Sequence, residues 1–325
     1  MVTQIQIPSI PLDLLHQNGI GAISLVHEAK TISFDKYLSW VDAGYAGPLK
    51  YLTDDRKNKR ASLKKLYPNF QAAVVFLFPY SKTPSAPNGI KIADYVFAFN
   101  DEDYHHVLPN RIKNFFEALN VDETRYQVVV DTQPILERDL AYRSGLGWIG
   151  KNSMLINRNL GSYFLIATAI FESDIQFQDQ YISIQSSRLE TDHCGSCRAC
   201  LDACPTNAIL ENERQINANL CISTYTIENF SYTKTPPLAS RETNEVFGCD
   251  ICQTVCPWNN KVQMKNFTEH QNSIIYNNFY LNSLADVIKN FLNMSKRNFK
   301  KLFISTPIAR TGRDGMVKNL KDKLL

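Results

Sequence analysis

Cys194-Gly195-Ser196-Cys197-Arg198-Ala199-Cys200-Leu201-Asp202-Ala203-Cys204-Pro205 is the stretch from which the rest of the chain can be read. It matches, position for position, the C-x2-C-x2-C-x3-C-P run with which bacterial proteins hold a four-iron cluster. Farther on, Cys221 and then Cys249-Asp250-Ile251-Cys252-Gln253-Thr254-Val255-Cys256-Pro257 repeat the run with its first ligand moved upstream. All eight cysteines of the chain are used in this way, which suits two [4Fe–4S] clusters with no thiolate left over. Two intervening residues let successive thiolates wrap one corner of a cubane while turn amides point at its sulfurs. The three-residue step carries the fourth cysteine into a helix and away from its neighbours. In two-cluster ferredoxins that fourth cysteine ligates the other cluster. Cys194, Cys197, Cys200 and Cys256 are therefore assigned to cluster one, and Cys204, Cys221, Cys249 and Cys252 to cluster two. A pair of structural zinc sites also uses C-x2-C pairs but rarely this run. A disulfide framework would need a secreted chain.

The 325 residues suffice for two domains or for one with a large insertion. A hydrophobic content of 44% and a charged content of 21% describe an ordinary globular chain. The start, MVTQIQIPSIPLDLL, lacks the basic and apolar regions of a signal peptide. No apolar run is long enough to span a bilayer, so a cytoplasmic location is expected. Net charge is only +3, but residues 296–325 carry nine Lys or Arg against two Asp, and 50–65 form a second basic stretch. Such patches suit a polyanion such as nucleic acid, or are simply solvated helix faces.

Periodicity predicts helices over 14–19, 34–43, 106–119 and 137–144 and buried strands over 72–78, 126–130 and 163–171. Strands separated by helices predict an α/β or α+β core. Three consecutive domains are expected: 1–187, the core; 188–262, a two-cluster ferredoxin-like domain reached through the connection 174–187; and 263–325, a short basic helical tail broken by Pro307 and Gly312. Asp131 stands at the end of a predicted strand, the edge where open α/β sheets place ligands. There it is either a general acid or the cap of the helix that follows Pro134. Gly145-x-Gly147-x-x-Gly150 follows a short helix rather than a strand, which rejects nicotinamide binding. These glycines are expected to let the backbone approach a large flat or anionic ligand.

Taken in order, Gly44-Tyr-Ala-Gly47, Arg60 before Pro68, Asp103-Tyr-His105, Val130-Asp131 with Pro134-Ile-Leu-Glu137, Gly145-Leu-Gly-Trp-Ile-Gly-Lys-Asn152, Gly161-Ser-Tyr163, Cys221-Ile-Ser-Thr-Tyr225 and Phe247-Gly-Cys-Asp250 resemble epoxyqueuosine reductase. That family is the cobalamin-dependent iron–sulfur group of the queuosine tRNA-modification pathway. The resemblance spans roughly residues 37–318. It implies a core that binds cobalamin with no histidine on the cobalt. It also implies reduction of epoxyqueuosine at the tRNA wobble position to queuosine, with Asp131 giving a proton to the leaving oxygen. By position the cobalamin pocket would draw on Arg60, Asn152, Ser153, Leu155, Ser162, Ile166, Ser223 and Asp250 as well as Asp131. Clusters deliver electrons singly and a cobalt corrin accepts them, a task no side chain performs. A flipped base is expected to stack on an aromatic such as Trp148, Tyr104 or Tyr163, although each also suits a core. Arg310, Arg313 and Lys318 are expected to contact tRNA phosphates. The partners implied are that tRNA and an unidentified low-potential electron donor, and the chain is expected to be a monomer.

The chain departs from the family pattern twice. Asn100-Asp101-Glu102 stands where relatives carry a basic segment, which argues against a phosphate or corrin contact there. Relatives also carry helical repeats after the cluster domain, of which only the start is expected here. Two other readings compete: a reductive dehalogenase-like cobalamin protein, and a ferredoxin-like carrier without catalysis of its own. The former usually bears an export signal and no basic tail. A carrier would not need the long region before Cys194.

Overall fold

The computed structural model describes residues 4–178, 183–184, 191–211, 213–228, 237–264 and 272–323. Two compact units divide the chain. The first holds Met1–Ala43, Tyr51–Pro79 and His105–Ser196, and the second holds Gly44–Lys50, Tyr80–Tyr104 and Cys197–Leu325. This differs from the three consecutive segments expected from the sequence. The reason is long-range pairing: the strand Lys91–Ile92 joins Glu245–Phe247 in parallel, drawing 80–104 into the second unit. The expected boundary at 187/188 lies outside the described residues. Among the described residues, no helix is long and apolar enough to cross a membrane.

The first unit is built on a five-stranded sheet in the order Ser183–Ile184, Ala22–Val26, Ala72–Pro79, Phe164–Phe171, Tyr126–Val129. Only the first of these pairings is parallel; the other three are antiparallel. The core is therefore α+β, and the rule for ligand placement at parallel strand ends does not apply to Asp131. The pattern did not fix strand direction because the connection from Val26 to Ala72 carries a helix, Phe34–Asp42, and three 3-10 turns. A connection of that length can return either way. The strand Ala22–Val26 escapes periodicity because AISLV is short and two of its five residues are small.

The central strand explains the layers. Ala72 to Phe78 are each 0% exposed, so both faces of the sheet are covered, and successive side chains alternate between them. Ala73, Val75 and Leu77 join Leu140 and Ala141 of the helix Glu137–Arg143. Phe76 points the other way, with its ring 5.6 Å from that of Phe115 and 5.8 Å from that of Phe116, both edge-on. Those two rings belong to the helix Tyr104–Ala118.

In the second unit the short helices Ala199–Asp202 and Ile251–Thr254, each inside one cysteine run, pack on one another. The basic tail is no appendage. Its helices Ile274–Phe279, Leu284–Asn293, Lys296–Phe303 and Gly312–Lys321 share one core with Ile90, Val96, Val246 and Phe247 through Phe279, Phe291, Phe303 and Met316. Ser273, Ser283 and Ser295 cap the first three helices, each hydroxyl accepting an N–H of the first turn. Replacing Phe76 by Ala should lower the unfolding free energy by about 3–5 kcal/mol, read as a shifted denaturant midpoint.

Candidate functional site

Asp131 follows the strand Tyr126–Val129 and adopts φ 58, a left-handed conformation that Asp tolerates better than most side chains. Its N–H donates to Glu137 Oε1 at 2.9 Å. His105 Nε2 stands 3.9 Å from its carboxylate, and the Asp131 side chain is 61% exposed. The helix Glu137–Arg143 has Leu136 at its N-cap position with no side-chain cap, so Asp131 is not that cap and its carboxylate faces outward. Burial first, and the charge of Asp131 second, push the half-buried Glu137 carboxyl up to about 8.

Beside Glu137, Arg138 donates from Nη1 to the Ser153 carbonyl and, at 3.2 Å, to Ser153 Oγ. Ser153 is also left-handed, at φ 63. The Tyr51 phenol lies in electrostatic range of Arg138, and the Tyr51 carbonyl accepts from Arg60 Nη2 at 3.2 Å. Arg60 is 6% exposed and sits 5.6 Å from the Tyr37 ring centroid. Its buried Nη1 has no partner within the protein, a donor of the kind an amide-bearing or anionic cofactor would satisfy. Asn152, Leu155 and Ser162 are buried, and Ile166 is half-buried. Glu137 and His105 stand in the motif stretches read from sequence but were given no role there, and neither was Arg138. The acid–base pair directly after Pro134-Ile-Leu was the available signal.

The three glycines do other work than expected. Gly145, at φ 80, ends the helix: its N–H donates to the Tyr142 carbonyl and that of Leu146 to Ala141, a Schellman closure. A Cβ on Gly147 would lie 2.2 Å from the Ile156 carbonyl oxygen, and one on Gly150 2.5 Å from Ile156 Cδ1. Close approach here is to the hairpin Trp148–Ile149/Leu155–Ile156, not to a ligand. Trp148, Tyr163 and Tyr104 are 1%, 1% and 6% exposed, which makes all three core aromatics.

In the second unit Cys204, Cys221, Cys249 and Cys252 lie within electrostatic reach of one another. Burial first, and neighbouring thiols second, push Cys252 up. Ala208 N–H donates to Cys204 Sγ at 3.3 Å, and the Ser223 and Thr224 backbone pulls the Cys221 thiol back down against its burial. Ser223 thus serves a thiol. Asp250 accepts from Asp94 N–H at 2.6 Å and from Gln253 Nε2 at 3.0 Å. Cys256 is buried, Cys200 half-buried and Cys197 exposed; Cys194, in the first unit, is half-buried. None of the eight, all among the described residues, is in a disulfide. Among the described residues, no three His, Cys, Asp or Glu are grouped as a single-ion metal site.

The cations expected on tRNA are engaged inside the second unit. Lys318 is 2% exposed and its ammonium donates to the Tyr225 carbonyl at 3.0 Å. Arg313 donates to the Met294 and Leu292 carbonyls at 3.1 and 2.5 Å, closing the end of the helix Leu284–Asn293. Arg310 grips Asp103 at 3.0 and 3.1 Å and stacks 4.9 Å from the Tyr104 ring centroid. Asp101 accepts from Ser273 Oγ at 2.8 Å and from Ile275 N–H at 3.1 Å. Asp101, from the acidic departure, and the motif residue Asp103 thus anchor the C-terminal region. Arg297, Lys300 and Lys301 remain exposed.

Residues 60–132 match the family model described as epoxyqueuosine reductase QueG, DUF1730, and 193–259 match a 4Fe-4S double cluster binding domain. Epoxyqueuosine reductase of Cyclobacterium marinum is 33% identical over 294 residues, covering 88% of this chain and 86% of the relative. That of Leadbetterella byssophila is 32% identical over 284 residues, covering 86% of each. A selenomethionine-labelled epoxyqueuosine reductase crystal structure aligns with TM-score 0.75 and 27% identity, over 96% of this chain and 80% of that one. Another, with an epoxyqueuosine-modified tRNA stem loop, aligns with TM-score 0.72 and 26% identity, over 96% and 79%. With the cysteine runs and the Asp131 stretch matched at once, the chain belongs to the epoxyqueuosine reductase family of oxidoreductases.

Proposed function

We propose that this chain removes the epoxide oxygen of epoxyqueuosine in tRNA, with Asp131 as the proton donor and cobalamin and two [4Fe–4S] clusters as its redox groups. The observation that carries the reading is an outward-facing carboxylate on a left-handed turn, held there by the hydrogen bond that the Asp131 N–H donates to Glu137 Oε1. Going from epoxide to alkene takes up two electrons and two protons and releases water. Asp131 gives a proton to the departing oxygen, with the His105 ring 3.9 Å from its carboxylate. Support also comes from relatives: one solved reductase carries an epoxyqueuosine-modified tRNA stem loop, and the one from Bacillus subtilis has a catalytic aspartate loop swung out of its active site.

Arg60 fits cobalamin, since its buried Nη1 lacks a protein acceptor. Asn152, Ser153, Leu155, Ser162, Ile166, Ser223 and Asp250 are the other residues that would hold it, Ser223 being shared with Cys221. When bound, cobalamin supplies a metal centre that takes electrons from the clusters and passes them to substrate carbon. Cys194, Cys197, Cys200 and Cys256 hold one cluster; Cys204, Cys221, Cys249 and Cys252 hold the other. Phosphate contacts fall to Arg297, Lys300 and Lys301, which share the exposed side of a helix whose Phe299 and Phe303 are buried.

Three measurements test this reading. After anaerobic reconstitution with iron, sulfide and cobalamin, single turnover on tRNA bearing epoxyqueuosine should yield queuosine. Asp131→Asn should slow that step by about 10²- to 10⁴-fold, and an unslowed variant would remove Asp131 from the chemistry. Cys252→Ser should cut bound iron by about half; full iron would dissolve the ligand assignment. Changing Arg297, Lys300 and Lys301 together to Ala should flatten the slope of log affinity against log salt by roughly 2 to 3. An unchanged slope would move the phosphate contacts elsewhere.

A further inference from the structure

Two of the non-glycine residues with positive φ, Asp131 and Ser153, are pinned by adjacent residues at the start of one helix. Glu137 Oε1 accepts the Asp131 N–H at 2.9 Å, and Arg138 Nη1 donates to both the Ser153 carbonyl and its hydroxyl. A side chain in the left-handed region persists only where its surroundings over-determine it. Whatever fixes the peptide N–H of Asp131 also sets the direction in which its Cα–Cβ bond points. Glu137 is itself well anchored. Its helix packs Leu140 and Ala141 into the sheet core and is closed by the Gly145 turn. The reacting carboxylate is exposed, and His105, 3.9 Å away, is beyond hydrogen-bond length.

We infer that Glu137 is a positioning residue: it latches the Asp131 loop in the orientation from which the aspartate gives its proton. The inference rests on the role proposed for Asp131. Glu137 acts through the backbone of its neighbour, whose N–H its Oε1 accepts. Asp131 and Arg138 are the charged groups facing it. The latch needs an acceptor at Oε1 rather than a negative charge, so an amide in the same place performs the same task.

The test uses the reconstituted full chain with Glu137→Ala, Glu137→Gln, Asp131→Asn and the double variant Asp131→Asn with Glu137→Ala. Glu137→Ala should slow single turnover about 5- to 10-fold, the range that loss of one hydrogen bond to a neutral acceptor gives, with tRNA affinity unchanged. Glu137→Gln should stay within about threefold of the parent. The double variant should be no slower than Asp131→Asn alone, because the latch serves only that side chain. In the protein without cofactors, amide hydrogen exchange over residues 126–136 should quicken in Glu137→Ala and not in Glu137→Gln. A Glu137→Ala rate equal to the parent, unchanged exchange, a Gln variant as slow as Ala, or multiplied effects in the double variant would each overturn the latch. If Asp131→Asn itself turns over at the parent rate, it is the role of Asp131 that falls instead.

Discussion

Thiolates gathered at one place cannot all ionise without positive charge to compensate them, and the second unit gathers four cysteines. Cys252 lies within electrostatic reach of Cys204, Cys221 and Cys249. Burial pushes the Cys221, Cys249 and Cys252 thiols up, and an iron–sulfur cluster supplies the charge and the bonds that reverse that preference. At Cys204 the backbone is already aimed at sulfur, where the Ala208 N–H donates. Hydrogen bonds of this kind help set cluster potential.

The same unit explains the fate of the basic C-terminal region. Its helices are short and each is marginal alone, so their stability comes from the shared core around Phe247, Phe279 and Phe303. Charge is spent on joining them. Asp101 and Asp103 anchor Ser273, Ile275 and Arg310, and Lys318 and Arg313 satisfy carbonyls. A buried cation needs such acceptors. This is why three cations of an apparently nucleic-acid-binding charge run are structural, and why Asp101 of the acidic departure is tied to the same helices.

In the first unit, backbone strain falls on the residue proposed as proton donor. Asp131 and Ser153 occupy a region of backbone space that costs free energy for any residue but glycine. Neighbouring residues of one helix start hold them there, while Arg60 keeps a buried donor unmatched. An arrangement serving stability alone would have relieved both.

The cysteine spacing, the buried strand at 72–78 and the helices at 106–119 and 137–144 were legible from the chain. Ligand spacing and hydrophobic period are local properties, written within a few residues. The Asp131 motif was legible as well, since its residues lie in one run. Strand direction, the recruitment of 80–104 into the second unit, the true partners of the glycines and the burial of Lys318 were not. Each depends on which distant group lies opposite: Ile156 across from Gly147, Tyr225 across from Lys318, Glu245–Phe247 beside Lys91–Ile92. A sequence determines what a residue can bond or bury, and only the tertiary structure decides which partner reaches it first.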